Sequence, residues 1–293
     1  MAEVADAAPL ASFEAKWAAA HPEFGLALRF VPAGQRVAQS AFACLVYELE
    51  HAAFGIREAQ PAAIKLQWWG EEFARAGKHE ARHPLTQALA EHPGFAAIPL
   101  VRWYEVIAGA LAQRDPEPAA DGESLIDHYA QLYAPLGVIE AELFGGDAKT
   151  TAGALSLARA LRETASLSST LRNGTLPLPL DLLARYRLAR GDLAEASPAR
   201  CEALREWLRR LAGEMRGLLM IRVAIPEGVR LGVLRSAMIA ADRTRALQAA
   251  RASDPLAAMT VALDRLSFAA VWAAWRAARR SRWWAQRRAR HAC

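Results

Sequence analysis

The chain has 293 residues, 53% hydrophobic and 23% charged, with a formal charge of +5, enough for one large domain or two small ones around a substantial core. No stretch reaches the roughly 18 consecutive apolar residues of a membrane-spanning helix, and the opening MAEVADAAPLASFEAKW has acids and no basic region ahead of an apolar run, so a secretory signal is not expected. Cys44, Cys201 and Cys293 are scattered without C-x-x-C spacing, which argues against a disulfide framework or a zinc site and for a cytoplasmic protein.

Apolar residues recur at helical spacing almost throughout, and alternating strand-like runs are nearly absent. The pattern predicts helices over 37–56 and 61–76, the latter with Pro61 in its first turn, where a missing N–H costs little. His83-Pro84 restarts the chain and Pro93-Gly94 stops it. Helices follow over 95–113, 123–144 and 148–172, then 197–225 and 228–250, with DPEPAADG at 115–122 as a surface loop. No repeat and no linker composition appears, so one all-α domain is expected over 1–267, with a basic Trp/Arg-rich helix or tail over 268–293. No strand leads into a Gly-rich turn, which excludes a P-loop and a dinucleotide fingerprint, and no G-x-S-x-G occurs. His79 and His83 are four apart, but KHEARHP runs into proline and reads as a loop, so no metal site is assigned.

Several residues stand out against this apolar background. YELEHAAFGIRE supplies Glu48, Glu50 and Glu58 without a carboxylate pair four apart. At about 100° per residue Glu48 and Glu50 point about 200° apart and cannot chelate one ion. Glu50 and Arg57 share a helical face two turns apart, about 10 Å at 1.5 Å per residue, which would let both line one cavity. An unpartnered buried carboxylate costs several kcal/mol, so Glu48 or Glu50 must face a cavity, a cation or solvent. KLQWW (Lys65, Gln67, Trp68, Trp69) reads equally as a basic, aromatic substrate patch or as core packing with a capping lysine. Tyr129 and Tyr133 lie one turn apart on one face, as core or as pocket wall. LRETASLSSTLRNGTLPLP clusters Ser166, Ser168, Ser169 and Thr170 in a helix that Asn-Gly and two prolines then break.

Three stretches, in order, carry a resemblance. AFACLVYELEHAAFGIREAQPAAIKLQWWGEEFARAGKHEARHPLTQAL, SLIDHYAQLYAPLGVIEAELFG and LRETASLSSTLRNGTLPLPLDLLARYRL are similar to the squalene/phytoene synthase family over about residues 36–188. The resemblance implies an antiparallel helix bundle of isoprenoid-synthase type around a central cavity. It also implies head-to-head joining of two prenyl diphosphates, with Asp-rich helices facing each other and holding Mg²⁺. Mg²⁺ takes one or two carboxylates plus phosphate oxygens, and carboxylates at i and i+4 share a helix face. Aligning Gly174 with the family's Gly-Arg puts Ser166 and Thr170 where the aspartates belong, and Thr175 where the arginine belongs. The hydroxyl cluster thus sits on the former metal-binding face, and Glu163, one turn earlier, is the acid left there.

Two functions follow from that departure. One is a prenyl- or lipid-binding or assembly-type protein without two-metal chemistry and without a cofactor, similar to the branch that includes a mitochondrial respiratory complex I assembly factor. The other is an active prenyl transferase that uses Mg²⁺ with Glu48, Glu50 and Glu163 in place of aspartates. The pocket candidates are Arg57, Lys65, Gln67, Trp68, Trp69, Tyr129, Tyr133, Ser166 and Thr170. In the tail, Phe268, Trp272, Trp275 and Trp283 fall near one helical face, with Arg276, Arg279, Arg280, Arg282, Arg287, Arg288 and Arg290 on most of the rest. These seven arginines exceed the net charge of the whole chain, so the body is mildly acidic. Trp with Arg suits the inner face of a membrane; non-specific nucleic-acid binding or a solvated tail would use the same composition.

Overall fold

The computed structural model describes the backbone of residues 7–221 and 230–291, and the side chains of residues 9–221 and 230–283. Arg287, Arg288 and Arg290 therefore have side chains outside the described residues. The described residues form helices and no strand. The first group is α1 (Ala7–Ala20), α2 (Pro22–Leu28), α3 (Ala33–Glu50), a π-helical turn (His51–Gly55), α4 (Ala59–Ala76), α5 (Pro84–Ala90) and α6 (Leu100–Ala112). Next come α7 (Gly122–Phe144), α8 (Ala148–Ala165), α9 (Leu167–Arg172) and α10 (Leu180–Arg185). The chain continues through α11 (Pro198–Met220), α12 (Leu231–Ala249), α13 (Pro255–Asp264) and α14 (Phe268–His291).

Local chemistry sets the starts of several helices. Side-chain oxygens of Asp121, Asp147, Ser197 and Asp254 accept backbone N–H groups at the heads of α7, α8, α11 and α13, satisfying donors that have no partner inside the helix. Glycines set the closest approaches. Gly109 on α6 lies against the backbone of Gln131 on α7, and Gly137 on α7 lies against the carbonyl of Ala148 at the head of α8. Helix α8 then runs through the middle of the molecule, packed on α7, α11, α12 and α13. Trp69 stacks on Phe73, Phe73 stacks on Trp103, and Trp207 donates its indole N–H to the Thr164 hydroxyl at 2.9 Å.

Three of the predicted helices are interrupted. The one over 37–56 ends as an α-helix at Glu50, continues as the π turn, and leaves it with Ile56 extended. The one over 95–113 is split by Pro99: a 3₁₀ turn (Phe95–Ala97), then Ile98 extended, then α6, as expected for a residue held out of the helical region by a following proline. The one over 148–172 breaks at Ser166 (φ −93, ψ 21), with the Thr170 backbone N–H donating to the Ser166 carbonyl at 3.0 Å. Asn173-Gly174 ends α9 as the sequence implied, Gly174 supplying φ 89. KHEARHP is a loop, with His79 at φ 61.

A Cβ at Gly109 would stand 2.1 Å from the Gln131 carbonyl oxygen and 2.9 Å from the Leu132 Cα, backbone atoms that cannot turn aside. Gly109→Ala is expected to destabilise the fold by about 2–3 kcal/mol. Gly213→Ala, inside α11 with nothing within 4 Å of the new methyl, should instead stabilise it by about 0.5–1 kcal/mol. Urea melts of the two variants check both signs.

Candidate functional site

Glu50 is the last residue of α3, and its side chain points inward, 8% exposed. Facing it are Tyr133 on α7 and Arg159 on α8. The Tyr133 hydroxyl donates to Glu50 Oε1 at 2.7 Å, and Arg159 Nη2 lies 3.2 Å from Glu50 Oε2. One turn along α8, Glu163 shares the face of Arg159. Arg159 Nη1 donates to Glu163 Oε1 at 3.1 Å, and the Thr170 hydroxyl donates to Glu163 Oε2 at 2.9 Å. Arg159 Nε also donates to the Tyr133 oxygen at 3.2 Å. Beneath the guanidinium lies the ring of Phe54, 4.2 Å from its centroid, placed there by the π turn.

This cluster keeps its charges despite burial. Burial alone would push the Glu50 carboxyl up; Arg159 first, then Arg162 and the Tyr133 hydrogen bond, hold it below the ordinary carboxylate range. Burial would likewise lower Arg159, but Tyr133, Glu50 and Glu163 raise it well above the ordinary guanidinium value. Tyr133 is pushed up, by burial foremost and also by Glu50, so its proton stays on the hydrogen bond.

Two cavities flank the cluster. The larger, about 340 Å³, lies on the Glu50 side between α1–α2, α3, α8, α12 and α13. Its apolar wall includes Val46, Ala154, Leu155, Ala158, Met238 and Leu263. The smaller, about 120 Å³, lies on the Glu163 side and includes Tyr129, Arg57 and Thr170 in its wall. Arg162 lines the larger cavity. Its charge acts on Glu50, His21 and Asp242, yet among the described residues its guanidinium makes no hydrogen bond or ion pair. Burial first, and Arg162 next, lower His21 to about 3, so it is a neutral ring set edge-on to Tyr47. Burial raises the Asp242 carboxyl in spite of Arg162 and Arg245.

The residues singled out from sequence separate accordingly. Glu50 and Arg57 do not share a cavity, because the π turn and the extended Ile56 break the helical phase between them. Glu48 points away from the cluster and is held by Lys16 at 2.6 Å and Lys65 at 2.7 Å. Lys65, Gln67, Trp68 and Trp69 line neither cavity. Gln67, exposed, donates to Glu71, Trp69 is buried against Phe73, Trp68 meets Trp69 and His83 edge-on at the surface, and Lys65 is paired with Glu48. Tyr129 is wall of the smaller cavity and Tyr133 is part of the ionic cluster. Ser166 and Thr170 fall on opposite sides, since the helix breaks at Ser166. The sequence reading missed Arg159, whose signal was its position one turn before Glu163. It also missed Arg162 and Asp242, which carry no motif.

The acids of this cluster are already engaged with protein groups. Glu50 Oε1 and both oxygens of Glu163 accept hydrogen bonds from Tyr133, Arg159 and Thr170, Glu50 Oε2 is ion-paired with Arg159, and this cation stands between the two carboxylates. Among the described residues no three His, Cys, Asp or Glu converge as a metal cage.

Comparison with known proteins places the chain. The family model described as squalene/phytoene synthase matches residues 18–279, and the chain belongs to that family. The fold is similar to squalene synthase HpnC from Alicyclobacillus acidocaldarius, at 15% identity and a TM-score of 0.59, over 88% of this chain and 94% of that one. It is also similar to a dehydrosqualene synthase solved in complex with a ligand, at 10% identity and a TM-score of 0.63, over 83% and 85% of the two chains. No curated protein matches the sequence.

Arg159→Met removes the cation from buried Glu50 and half-buried Glu163 and should cost about 3–5 kcal/mol at pH 7. In the wild type the folded Glu50 carboxyl lies below its ordinary value, so its contribution is complete above the unfolded pKa and is lost as pH falls through the folded one. Without Arg159, burial raises that carboxyl, and the variant recovers stability as it protonates. The difference between the two proteins is therefore largest at pH 7 and narrows toward pH 4, which urea melts at the two pH values measure.

Proposed function

We propose that this member of the squalene/phytoene synthase family works without two-metal prenyl transfer, as a prenyl- or lipid-binding or assembly-type protein. One observation carries the reading: Arg159 stands between Glu50 and Glu163, the acids nearest the family's two metal-binding motifs, and with Tyr133 and Thr170 it occupies all four of their carboxylate oxygens. A guanidinium supplies the positive charge permanently and in place between those acids, where a hydrated magnesium ion would have to compete with it.

Volume supports the same conclusion. Head-to-head joining needs two prenyl diphosphates in one pocket, whereas 340 Å³ is at the low end for a single small ligand, where pockets run about 300–1,000 Å³. The wall of Val46, Ala154, Leu155, Ala158 and Met238 suits one apolar chain. Arg162, without a hydrogen-bonded partner among the described residues, suits an anionic or strongly polar head at its end.

Incubation with farnesyl or geranylgeranyl diphosphate, Mg²⁺ and NADPH tests the reading. No diphosphate release above background is expected, while farnesyl diphosphate binds by calorimetry without added metal. Arg162→Gln should weaken that binding about tenfold or more, the worth of a charge-assisted hydrogen bond. Metal-dependent turnover that disappears in Glu50→Gln would establish instead an active transferase using glutamates for aspartates.

A further inference from the structure

Helix α14 has two faces of opposite character. Ala270, Ala274 and Ala278, with Ser281, are buried on one side, where the helix packs on α12 and α2. That stripe of small side chains lets α14 lie close, so through Trp283 the segment is a docked helix and not a frayed tail. Directly opposite, at helical spacing, stand Phe268 (79% exposed), Trp272 (55%) and Trp283 (49%). Trp272 stacks on Trp275, and Arg279 lies over the Trp275 ring.

The charge on this face has one sign. Asp264 is the last acid of the chain, and Arg276, Arg279, Arg280 and Arg282 follow it. Arg276, Arg279 and Arg280 are exposed. Arg282 donates to the Phe30 carbonyl, bringing exposed Arg29 at the end of α2 to the same region. Among the described residues no single helix is long and apolar enough to cross a membrane; α13 and α14 pass by length and composition only as a pair, bent by 57° at the elbow.

We infer that the exposed face of α14 docks on an anionic lipid surface, lying in the headgroup layer. Indole rings settle at headgroup depth, and arginines reach lipid phosphates while their stems remain apolar. Basic residues near such a surface act together to hold the mildly acidic body there. A soluble partner with an acidic patch would attract the arginines, but it would not account for large aromatic side chains interleaved with them on a face otherwise given to solvent. The elbow between α13 and α14 fixes the orientation. Thr260, Asp264 and Arg265 are exposed rim residues of the larger cavity, a few residues from Phe268, so docking brings the cavity mouth to the lipid.

Co-sedimentation of the full chain with vesicles tests this. The protein is expected to pellet with phosphatidylcholine vesicles containing one-third phosphatidylglycerol (~33%, a composition at which charge attraction operates) and to stay in the supernatant with phosphatidylcholine alone. The triple variant R276Q/R279Q/R280Q should lower partitioning about a hundredfold. F268A/W272A should lower it about tenfold or more, with an unchanged thermal melt, since these side chains are exposed. Equal partitioning of wild type and both variants overturns the inference. So does pelleting that ignores lipid charge, or binding to single-stranded nucleic acid with none to vesicles. Loss of farnesyl diphosphate binding leaves this result untouched, because the two surfaces are separate.

Discussion

A guanidinium held between two carboxylates organises the centre of this molecule. Burial works against the charge on Arg159, and Tyr133, Glu50 and Glu163 offset it; Arg159 in turn holds the buried Glu50 carboxyl below its ordinary range. The three groups are a set: remove one and the others become a liability, because burying an isolated charge costs more than any single hydrogen bond returns. Around that set the helices take their places. The end of α3 delivers Glu50, the π turn puts Phe54 beneath the cation, α7 supplies the tyrosine hydroxyl, and α9 turns back so that Thr170 caps Glu163.

The cluster also decides what the interior can hold. It stands between a larger cavity whose wall includes Glu50 and a smaller one whose wall includes Glu163. In the larger, the remaining charges are mostly matched: Arg235 pairs with Glu140, and Arg245 with Asp242 and Glu23. Inside the rim, Arg162 is the exception among the described residues; Asp264 and Arg265 lie at the exposed edge. Electrostatically, then, the interior of this space has its charges paired except for Arg162.

Much of this was legible in the sequence, and the reasons differ by residue. The helical bundle followed from apolar periodicity, and the break at Asn173-Gly174 from turn chemistry. Glu48 and Glu50 stood out because paired acids on an apolar helix need an account; both do face cations, Glu50 beside a cavity. Ion pairing across helices was not legible. Lys65 meets Glu48 across 17 positions and Arg159 meets Glu50 across 109, distances at which no local pattern operates. The π turn was equally hidden: HAAFG has an ordinary helical composition, and one changed hydrogen-bond register there was enough to separate Arg57 from Glu50.

The glycine contacts have a mechanical consequence. Between α6, α7 and α8 the nearest atoms are backbone on backbone at Gly109 and Gly137, with no side chains between them to change rotamer and absorb a strain. These three helices form one stiff slab. The opposite wall of the larger cavity, on α12 and α13, is built of longer side chains such as Met238, Ile239 and Leu263. A guest bulkier than the space provided is therefore met by the side-chain walls on α1–α3, α12 and α13, and not by movement of α8 against α7.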